Sequence, residues 1–383
     1  MAAGPGPRLE GVAEQSTDPV WSGQGPIQQR TTALRIEPRT VTLMVAGFVT
    51  VFTLVLANTL SVPYVALRPG PVVNTLGSSA DDKPLISISG HQTYPAKGQL
   101  DLTTVSLLGG PQQPIHLQEA LAGWIDGTVA VVPLQDVFPP GQTQQQNEQE
   151  NAREMADSQQ AAAAAALTQL GIAVKSTLRV TGLVGSAPAA AVIKEKDEIL
   201  AVNGTPATDL DQLRAVLQKA KAGESVQVTI RRGSTQSTVS ARTTAGDDGR
   251  AALGVFIGRG FTLPFTVKIQ LNDIGGPSAG MMFALGIIDL LTPGDLTAGK
   301  RIAGTGTIDD ERGLVGPIGG IRQKLVGARR AGARYFLAPK DNCDEVVGHI
   351  PDGLAVVKIA TLSQAERAVK EIAAGRAATL AGC

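Results

Sequence analysis

Two short stretches decide the fold of the C-terminal part of the chain: I-G-G-P-S-A-G at residues 274–280 and G-P-I-G-G-I-R-Q-K at residues 316–324. In the first, Ser278 stands among small residues between an apolar run and a predicted apolar helix. In the second, Lys324 lies just inside a predicted helix start. We interpret Ser278 and Lys324 as a nucleophile and its base.

A serine hydroxyl is a poor nucleophile at neutral pH and needs an adjacent base. A lysine can be that base if burial lowers its pKa from about 10.4 toward 7–8. Gly276 and Gly280 permit close backbone approach, and N–H groups around Ser278, including that of Ala279, are predicted to face a developing oxyanion. The residues near Lys324 in sequence are apolar: Leu314, Val315, Ile318, Ile321, Leu325 and Val326.

Around these stretches the pattern alternates strands and helices, which predicts an α/β or α+β domain over residues 250–383. The predicted strands are Thr266–Leu271, Arg301–Thr307, Tyr335–Ala338 and Ala355–Ile359. The predicted helices are Ser278–Leu291, Gly320–Arg330 and one that begins at Ser363.

Three motifs in this domain closely resemble the protease domain of Lon: P-S-A-G at 277–280, T-G-T-I at 305–308 and G-x-V-G-P-I-G-G-I-R-Q-K at 313–324. The resemblance implies a serine–lysine dyad of Ser278 and Lys324, with Thr305 hydrogen-bonding near the lysine. It also implies an oxyanion hole of backbone N–H groups and a ring-shaped homo-oligomer.

The chain departs from the Lon pattern at two positions. Gly275 and Thr307 stand where Lon has acidic residues, and Asp273 is a candidate to compensate. The string nearest to a phosphate loop, G-D-L-T-A-G-K at 294–300, is followed by Arg301 where the motif needs Ser or Thr for Mg²⁺. We therefore expect proteolysis without ATP and without any cofactor.

Residues 174–245 resemble a PDZ domain of the bacterial type. The resemblance rests on V-T-G-L-V-G-S-A-P-A-A at 180–190, K-E-K-D-E-I-L-A-V-N-G at 194–204, a helix at 209–220 and a strand at 225–231. PDZ domains bind a peptide by adding it as a strand to a sheet edge, which implies a peptide or protein ligand here. At 192–194, V-I-K replaces the usual end of the family loop.

Residues 41–62 carry no charge and are long enough to span a bilayer. Arg30, Arg35 and Arg39 precede this predicted transmembrane helix, whereas Arg68 alone lies close behind it. The positive-inside rule then places residues 1–40, a predicted disordered tail, in the cytoplasm and the catalytic domain outside the cell. The order of segments looks like that of membrane-anchored, Lon-like PDZ proteases of Gram-positive bacteria.

Residues 63–173 form a predicted extracellular region with short strands at 84–89, 99–107 and 128–132. A strong helix former follows at 142–171 and ends at a glycine. We interpret the helix as a spacer or a lid and assign no chemistry to this region.

Composition narrows the function further. At 383 residues the chain predicts two or three folded units, with 43% hydrophobic residues but only 3% aromatic ones, so the cores should be aliphatic and alanine-rich. Zero net charge without a basic patch argues against nucleic-acid binding, and three scattered histidines argue against a metal site. The sequence does not decide whether Cys343 and Cys383 form a disulfide or remain two free thiols.

The sequence thus predicts a membrane-anchored serine endopeptidase acting on peptides or on membrane or secreted proteins. Two alternatives stay open. Residues 276–280 also match a G-x-S-x-G nucleophile elbow, with His349 and Asp344 or Asp352 as partners. A membrane-tethered PDZ scaffold without activity is the other.

Overall fold

The computed structural model describes residues 37–78, 82–185, 187–246, 249–271, 274–309 and 312–383. It separates into two compact units, Met1–Leu54 and Val55–Cys383. Helix α1 (Pro38–Thr59) has no buried residue, and its length and composition suffice to cross a membrane. Of the predicted disordered tail, residues 1–36 lie outside the described residues.

The second unit alternates short strands with helices. Its N-terminal part contains β1 (Tyr64–Asn74), β2 (Ile86–Ser89), β3 (Gln99–Leu108), α2 (Leu117–Ile125), β4 (Ala130–Pro133), α3 (Leu134–Val137) and α4 (Gln144–Gln169). The middle part contains β5 (Lys175–Leu183), β6 (Glu198–Val202), β7 (Thr205–Pro206), α5 (Leu210–Leu217), β8 (Ser225–Arg232), β9 (Thr235–Arg242), β10 (Thr244–Ala245), β11 (Ala251–Ala252) and β12 (Val255–Thr262). The last part contains β13 (Thr266–Ile269), α6 (Gly280–Leu291), β14 (Arg301–Gly304), β15 (Thr307–Ile308), β16 (Val315–Gly316), α7 (Ile321–Arg330), β17 (Tyr335–Pro339), α8 (Cys343–Val346), β18 (Ala355–Ile359) and α9 (Leu362–Ala373).

The main sheet joins the two ends of this unit in the order β18-β17-β14-β3-β1-β4. Strand β14 lies parallel to β3, with Ile302 opposite Leu100, and antiparallel β1 covers the other side of β3. Strand β13 pairs with β2, so the predicted strand leading to Ser278 lies outside the main sheet. Strands β1, β3 and β4 therefore belong to the same sheet as the C-terminal strands, whereas the sequence analysis placed residues 63–173 in a separate region.

The core is aliphatic and rich in alanine, as predicted. Helix α6 lies at its centre and α4 packs against it through a buried alanine run, 162–166, followed by Leu167. Side chains this small let the two helix backbones approach closely while excluding water. Helix α4 is therefore an integral part of the core, not a spacer or a lid.

A second sheet, formed by the segment that resembles a PDZ domain, is inserted between α4 and β13, with the order β12-β5-β6-β8-β9. Strand β12 pairs with β5 over its whole length, so the sheet continues to Thr262, beyond the predicted domain end at residue 245. The predicted end at residue 245 falls in the connection between β9 and β12, which contains the short strands β10 and β11. The strand that closes a sheet can follow such a loop because pairing, not sequence distance, defines the domain.

The two cysteines form a disulfide in the structure, which decides the alternative that the sequence left open. Cys383 is thereby joined to the start of α8 at Cys343. The neighbouring Asn342 side chain bonds the backbone N–H and C=O of Ile318 at 2.9 Å each. The bridge thus anchors the C-terminus beside the loop that leads into α7.

Candidate active site

Ser278 lies in the turn before α6, in a segment that we call the serine loop (residues 274–280). Helix α6 begins at Gly280, two residues later than predicted. Gly276 has φ +84°, a left-handed conformation that favours glycine, and its N–H donates to Asn151 O at 2.9 Å. A Cβ on Gly280 would lie 2.8 Å from Ile308 Cγ2, so this glycine permits the close approach that the sequence suggested.

Lys324 extends from the first turn of α7 to the serine loop. Gly320 starts this helix in a left-handed conformation, φ +69°. The Lys324 amine lies 2.9 Å from Ser278 Oγ, and the residue is only 2% exposed. The structure therefore brings together the two side chains that were predicted to meet, across 46 residues of sequence.

Thr305 connects the two partners. The Lys324 amine donates to Thr305 Oγ1 at 3.1 Å, and the Thr305 hydroxyl donates to Ser278 O at 3.0 Å. Since the threonine hydrogen is engaged by that carbonyl, its oxygen can only accept from the amine. A neutral amine held in this way has its lone pair free for the serine hydroxyl.

Burial lowers the pKa of Lys324 from 10.5 to about 8. The cause is desolvation by burial, because the ammonium form loses its hydration and, among the described residues, has no carboxylate partner. At 1.36 kcal/mol per pKa unit, holding the charged form in this place costs about 3 kcal/mol. Burial consequently raises the fraction of neutral amine near neutral pH far above that of an exposed lysine, and the neutral amine is the form that can accept a proton.

Carbonyl groups of the serine loop are tied back to the protein. Ser158 Oγ donates to Pro277 O at 3.0 Å, and Gly306 N donates to Ser278 O at 2.8 Å. Within the described residues, the N–H groups of Ser278 and Ala279 have no acceptor. Two such donors beside a serine hydroxyl form an arrangement that can stabilise an oxyanion.

The position of helix α4 explains why Gly275 stands where Lon has an acidic residue. A Cβ on Gly275 would lie 2.7 Å from Asn151 Cβ and 3.3 Å from its carbonyl carbon. An acidic side chain therefore has no room, because α4 occupies the place where it would project. The other departure, Thr307, pairs with Gly316 between β15 and β16, and Asp273 lies outside the described residues.

The sequence analysis missed the contribution of α4. Asn151, Met155 and Ser158 are spaced i, i+4 and i+7, so they share one helix face. The sequence offered one indication of this packing: Met155 is a large apolar residue in an otherwise polar half of the helix, and it is buried in the structure. It could indicate which face packs inward, but nothing in the sequence shows that this face meets the serine loop.

A cleft of about 390 Å³ opens at Ser278 and Lys324. One wall is the second half of β3, including Val105, which has a strand partner on one side only because β14 ends opposite Leu102. A second cavity of about 1200 Å³ shares Val105, Leu107, Met155, Ile274 and Gly275 with the cleft and continues along α4. Together they form a groove that an extended chain can enter.

The histidine alternative does not fit this geometry. His349 lies in an exposed loop, where its Nδ1 contacts Val347 O at 3.1 Å. The side chain that contacts Ser278 Oγ is Lys324. A G-x-S-x-G elbow with His349 as its base is therefore not supported by the structure.

Residues 294–300, which the sequence analysis compared with a phosphate loop, are called the aspartate loop here. Backbone N–H groups of this loop donate to nearby carboxylates. Asp295 Oδ1 and Oδ2 accept from the N–H groups of Thr297 and Gly299 at 3.1 and 2.9 Å. Leu296 N donates to the buried Asp289 at 2.9 Å. These three N–H groups are therefore already bonded to carboxylates.

A serine hydroxyl, a buried lysine and free N–H donors in an α/β domain define the class of serine hydrolases that use a lysine base. Comparison with known families agrees: residues 273–373 match the Lon protease (S16) C-terminal proteolytic domain, and residues 157–243 match a PDZ domain. The chain therefore carries a Lon-type serine peptidase domain and a PDZ domain. The PDZ match begins inside α4, whose C-terminal half packs in the peptidase core.

Curated relatives named Lon protease share this domain. The one from Azospirillum brasilense is 40% identical over 91 residues, 23% of this chain and 11% of that protein. The one from Roseiflexus castenholzii is 46% identical over 71 residues, 18% of this chain and 8% of that protein. Lon protease 1 from Bacillus subtilis is 35% identical over 92 residues, 23% of this chain and 12% of that protein. The chain spans about a tenth of the length of these relatives.

Among solved structures, the PDZ domain of an SdrC-like protein from Listeria monocytogenes is similar to part of the chain. It is 18% identical, with a TM-score of 0.20, and the match covers 21% of this chain and 85% of that one. The PDZ assignment here rests on the family match and on the strand order.

Proposed function

We propose that this protein is an ATP-independent, membrane-anchored serine endopeptidase that uses a Ser278–Lys324 dyad. The observation that carries the proposal is the 2.9 Å contact between Ser278 Oγ and a buried amine whose pKa lies near 8. Such an amine is neutral in a useful fraction of molecules near neutral pH. It can therefore take the hydroxyl proton directly.

In the proposed reaction, Ser278 Oγ attacks the scissile carbonyl while Lys324 accepts its proton. The N–H groups of Ser278 and Ala279 then stabilise the oxyanion. Lys324 returns the proton to the leaving amine, and an acyl-enzyme forms. A water molecule attacks the acyl carbon with Lys324 again as base, which frees the product and restores Ser278.

The groove beside β3 supports an extended peptide substrate. Beyond Leu102, β3 offers backbone groups on an open edge that faces the cleft. A peptide added there as a strand would pass Ser278 with its carbonyl groups in a regular arrangement. The walls of the cleft combine aliphatic side chains such as Val105 and Ile274 with hydroxyl side chains such as Thr104.

The PDZ domain is proposed to capture or gate the substrate. A cavity of about 630 Å³ lies between α5 and residues 250–257, with Leu213, Leu217 and Leu253 among its lining residues. Beside it, β12 is the edge strand of its sheet. Three residues separate β12 from β13, which leads to the serine loop, so a peptide bound on β12 is close in sequence to the catalytic segment.

The proposed localisation is the cell membrane, with α1 as a single span, the N-terminus in the cytoplasm and the catalytic domain outside. The disulfide between Cys343 and Cys383 supports this sidedness, because disulfides persist in oxidising compartments. A ring-shaped homo-oligomer remains a prediction from the family resemblance.

Hydrolysis of unfolded casein by the full-length protein in detergent, without ATP, tests the proposal. We expect Ser278→Ala and Lys324→Ala to lose activity by at least about 10³-fold and His349→Ala to keep it. Full activity in Lys324→Ala would contradict the dyad. Absence of hydrolysis with intact peptide binding to the PDZ domain would favour the scaffold alternative.

A further inference from the structure

Helix α2 carries its large apolar side chains on its outer face. Leu121, Trp124 and Ile125 are 44%, 55% and 87% exposed, and Ile125 is the most exposed large apolar side chain in the described part of the chain. Ala120 and Gly123, which are small, face the protein instead. Since positions i, i+3 and i+4 share a helix face, the three exposed side chains form one surface, which we call the α2 apolar face.

The packing of α2 fixes this face outward. A Cβ on Gly123 would lie 2.5 Å from Val131 Cγ2, so α2 sits too close to β4 for a larger residue on its inner side. The Trp124 ring meets Tyr64 edge-on with ring centres 5.8 Å apart. Rotation of α2 to bury Trp124 would drive large side chains into that narrow gap.

The charges of α2 lie at its two ends, away from the apolar face. Glu119 accepts from His116 N at 2.8 Å and is engaged in the capping box of the helix. Asp126 accepts from the backbone and hydroxyl of Thr128 at 2.9 and 2.7 Å. A surface that presents Leu, Trp and Ile without a charge of its own is suited to an apolar partner.

Chain continuity places this face next to the end of α1. Leu117 N donates to Leu60 O at 2.9 Å, and Ser61 forms a β-bridge with His116. Leu60 directly follows α1, so the first residue of α2 lies at the point where the chain leaves that helix. Nine residues of helix extend about 13 Å, so the α2 apolar face stays close to this point.

We propose that the α2 apolar face is a second membrane contact, lying among the lipid headgroups on the side where α1 ends. The proposal rests on the proposed membrane anchoring by α1. Tryptophan prefers the membrane–water interface, where its ring is apolar and its N–H remains hydrated. A lipid surface fits better than a second copy of the chain, since three side chains cover far less area than a stable dimer needs.

The two tryptophans of the chain, Trp21 and Trp124, make a direct test available. In the full-length Trp21→Phe variant, reconstituted into phosphatidylcholine–phosphatidylglycerol vesicles, all tryptophan emission comes from Trp124. Lipids brominated near the top of the acyl chain should lower this emission about twofold relative to unbrominated lipids. The emission should also be shielded from acrylamide in the aqueous phase.

A matched control places the reporter on another exposed apolar position. Val347 is 59% exposed and belongs to the loop after α8. In the Trp21→Phe, Trp124→Phe, Val347→Trp variant, brominated and plain lipids should give equal emission. Equal quenching at positions 347 and 124 would overturn the proposal, because it would indicate non-specific adsorption.

Two further outcomes would overturn it. If brominated lipids did not quench the Trp124 emission and acrylamide quenched it fully, the α2 apolar face would be exposed to solvent. If the shielding of Trp124 from acrylamide increased with the protein-to-lipid ratio and brominated lipids had no effect, a second copy of the chain would cover the face. In both cases retention of the protein in the vesicles after alkaline extraction would leave the α1 anchor intact, whereas its release would refute the anchor itself.

Discussion

Two glycine-rich loops flank the buried helix α6, and they differ in which backbone groups remain free. In the serine loop, the carbonyls of Pro277 and Ser278 are bonded, while the N–H groups of Ser278 and Ala279 have no acceptor among the residues that the structure describes. In the aspartate loop, the N–H groups of residues 296, 297 and 299 are bonded to carboxylates of Asp289 and Asp295.

This difference separates the loop to which we assign the nucleophile from one to which we assign only a structural role. Glycine and small residues permit tight turns in both loops, so composition alone does not distinguish them. What distinguishes them is the partner that each receives from elsewhere. The serine loop is held by neutral side chains on α4 and between β14 and β15, and it faces a lysine. The N–H donors of the aspartate loop bond Asp295 within the loop and Asp289 at the end of α6.

The largest effect that would test this contrast is expected from Lys324→Met. Methionine fills a similar volume but has no proton acceptor of comparable basicity, so peptide hydrolysis should fall about 10⁴-fold or more. Because the buried ammonium form is unfavourable, the variant should also be about 2 kcal/mol more stable at pH 7. Urea unfolding and peptide hydrolysis measure the two quantities.

Lys300→Met in the aspartate loop is the matched control. Its amine donates to Ile372 O, a contact that helps to hold the end of α9. Losing it should lower the free energy of unfolding by about 1 kcal/mol and leave hydrolysis unchanged. If Lys324→Met were instead the less stable of the two variants, the lysine at the serine loop would not carry a desolvation cost.

The pH dependence should give an effect of about tenfold. With the pKa of Lys324 near 8, about a tenth of the molecules hold a neutral amine at pH 7. The value of kcat/KM should therefore rise with pH, pass half its plateau near pH 8 and level off above it. A rate that falls between pH 7 and 9, with the protein folded, would argue against lysine as the base.

The same pKa has a consequence for stability. Between pH 8 and pH 10.5 the unfolded lysine holds a proton that the folded one has lost, so the unfolded state binds more protons. Stability should then rise with pH across this window and not below it. The stability gap between the natural protein and Lys324→Met should close over the same range.

The smallest effect is expected from Ser158→Ala. Removing the hydroxyl frees Pro277 O and loosens the peptide group that presents the Ser278 N–H. We expect kcat to fall about three- to tenfold with KM unchanged, less than the loss of a whole oxyanion donor. Asp295→Ala, which opens donors in the other loop, should lower stability by about 1–2 kcal/mol without changing kcat.

Much of the site was readable from local sequence. Ser278, Lys324, Thr305 and Gly276 have the predicted neighbours because small residues before one helix and a lysine inside another are short-range patterns. The contribution of Asn151 and Ser158 was not readable in this way. They lie more than a hundred residues before Ser278, and no local periodicity indicates which distant loop a helix face will meet.

The sequence by itself determined the apolar helix, the PDZ and peptidase motifs, and the residues of the serine–lysine pair, because each depends on neighbouring residues or on fixed spacing. Only the tertiary structure decided that β1, β3, β4 and α4 complete the peptidase sheet and core around an inserted PDZ domain, and that α4 fills the space beside Gly275. The physical reason is that strand pairing and helix packing are satisfied by whichever partner closes the core, at any sequence distance.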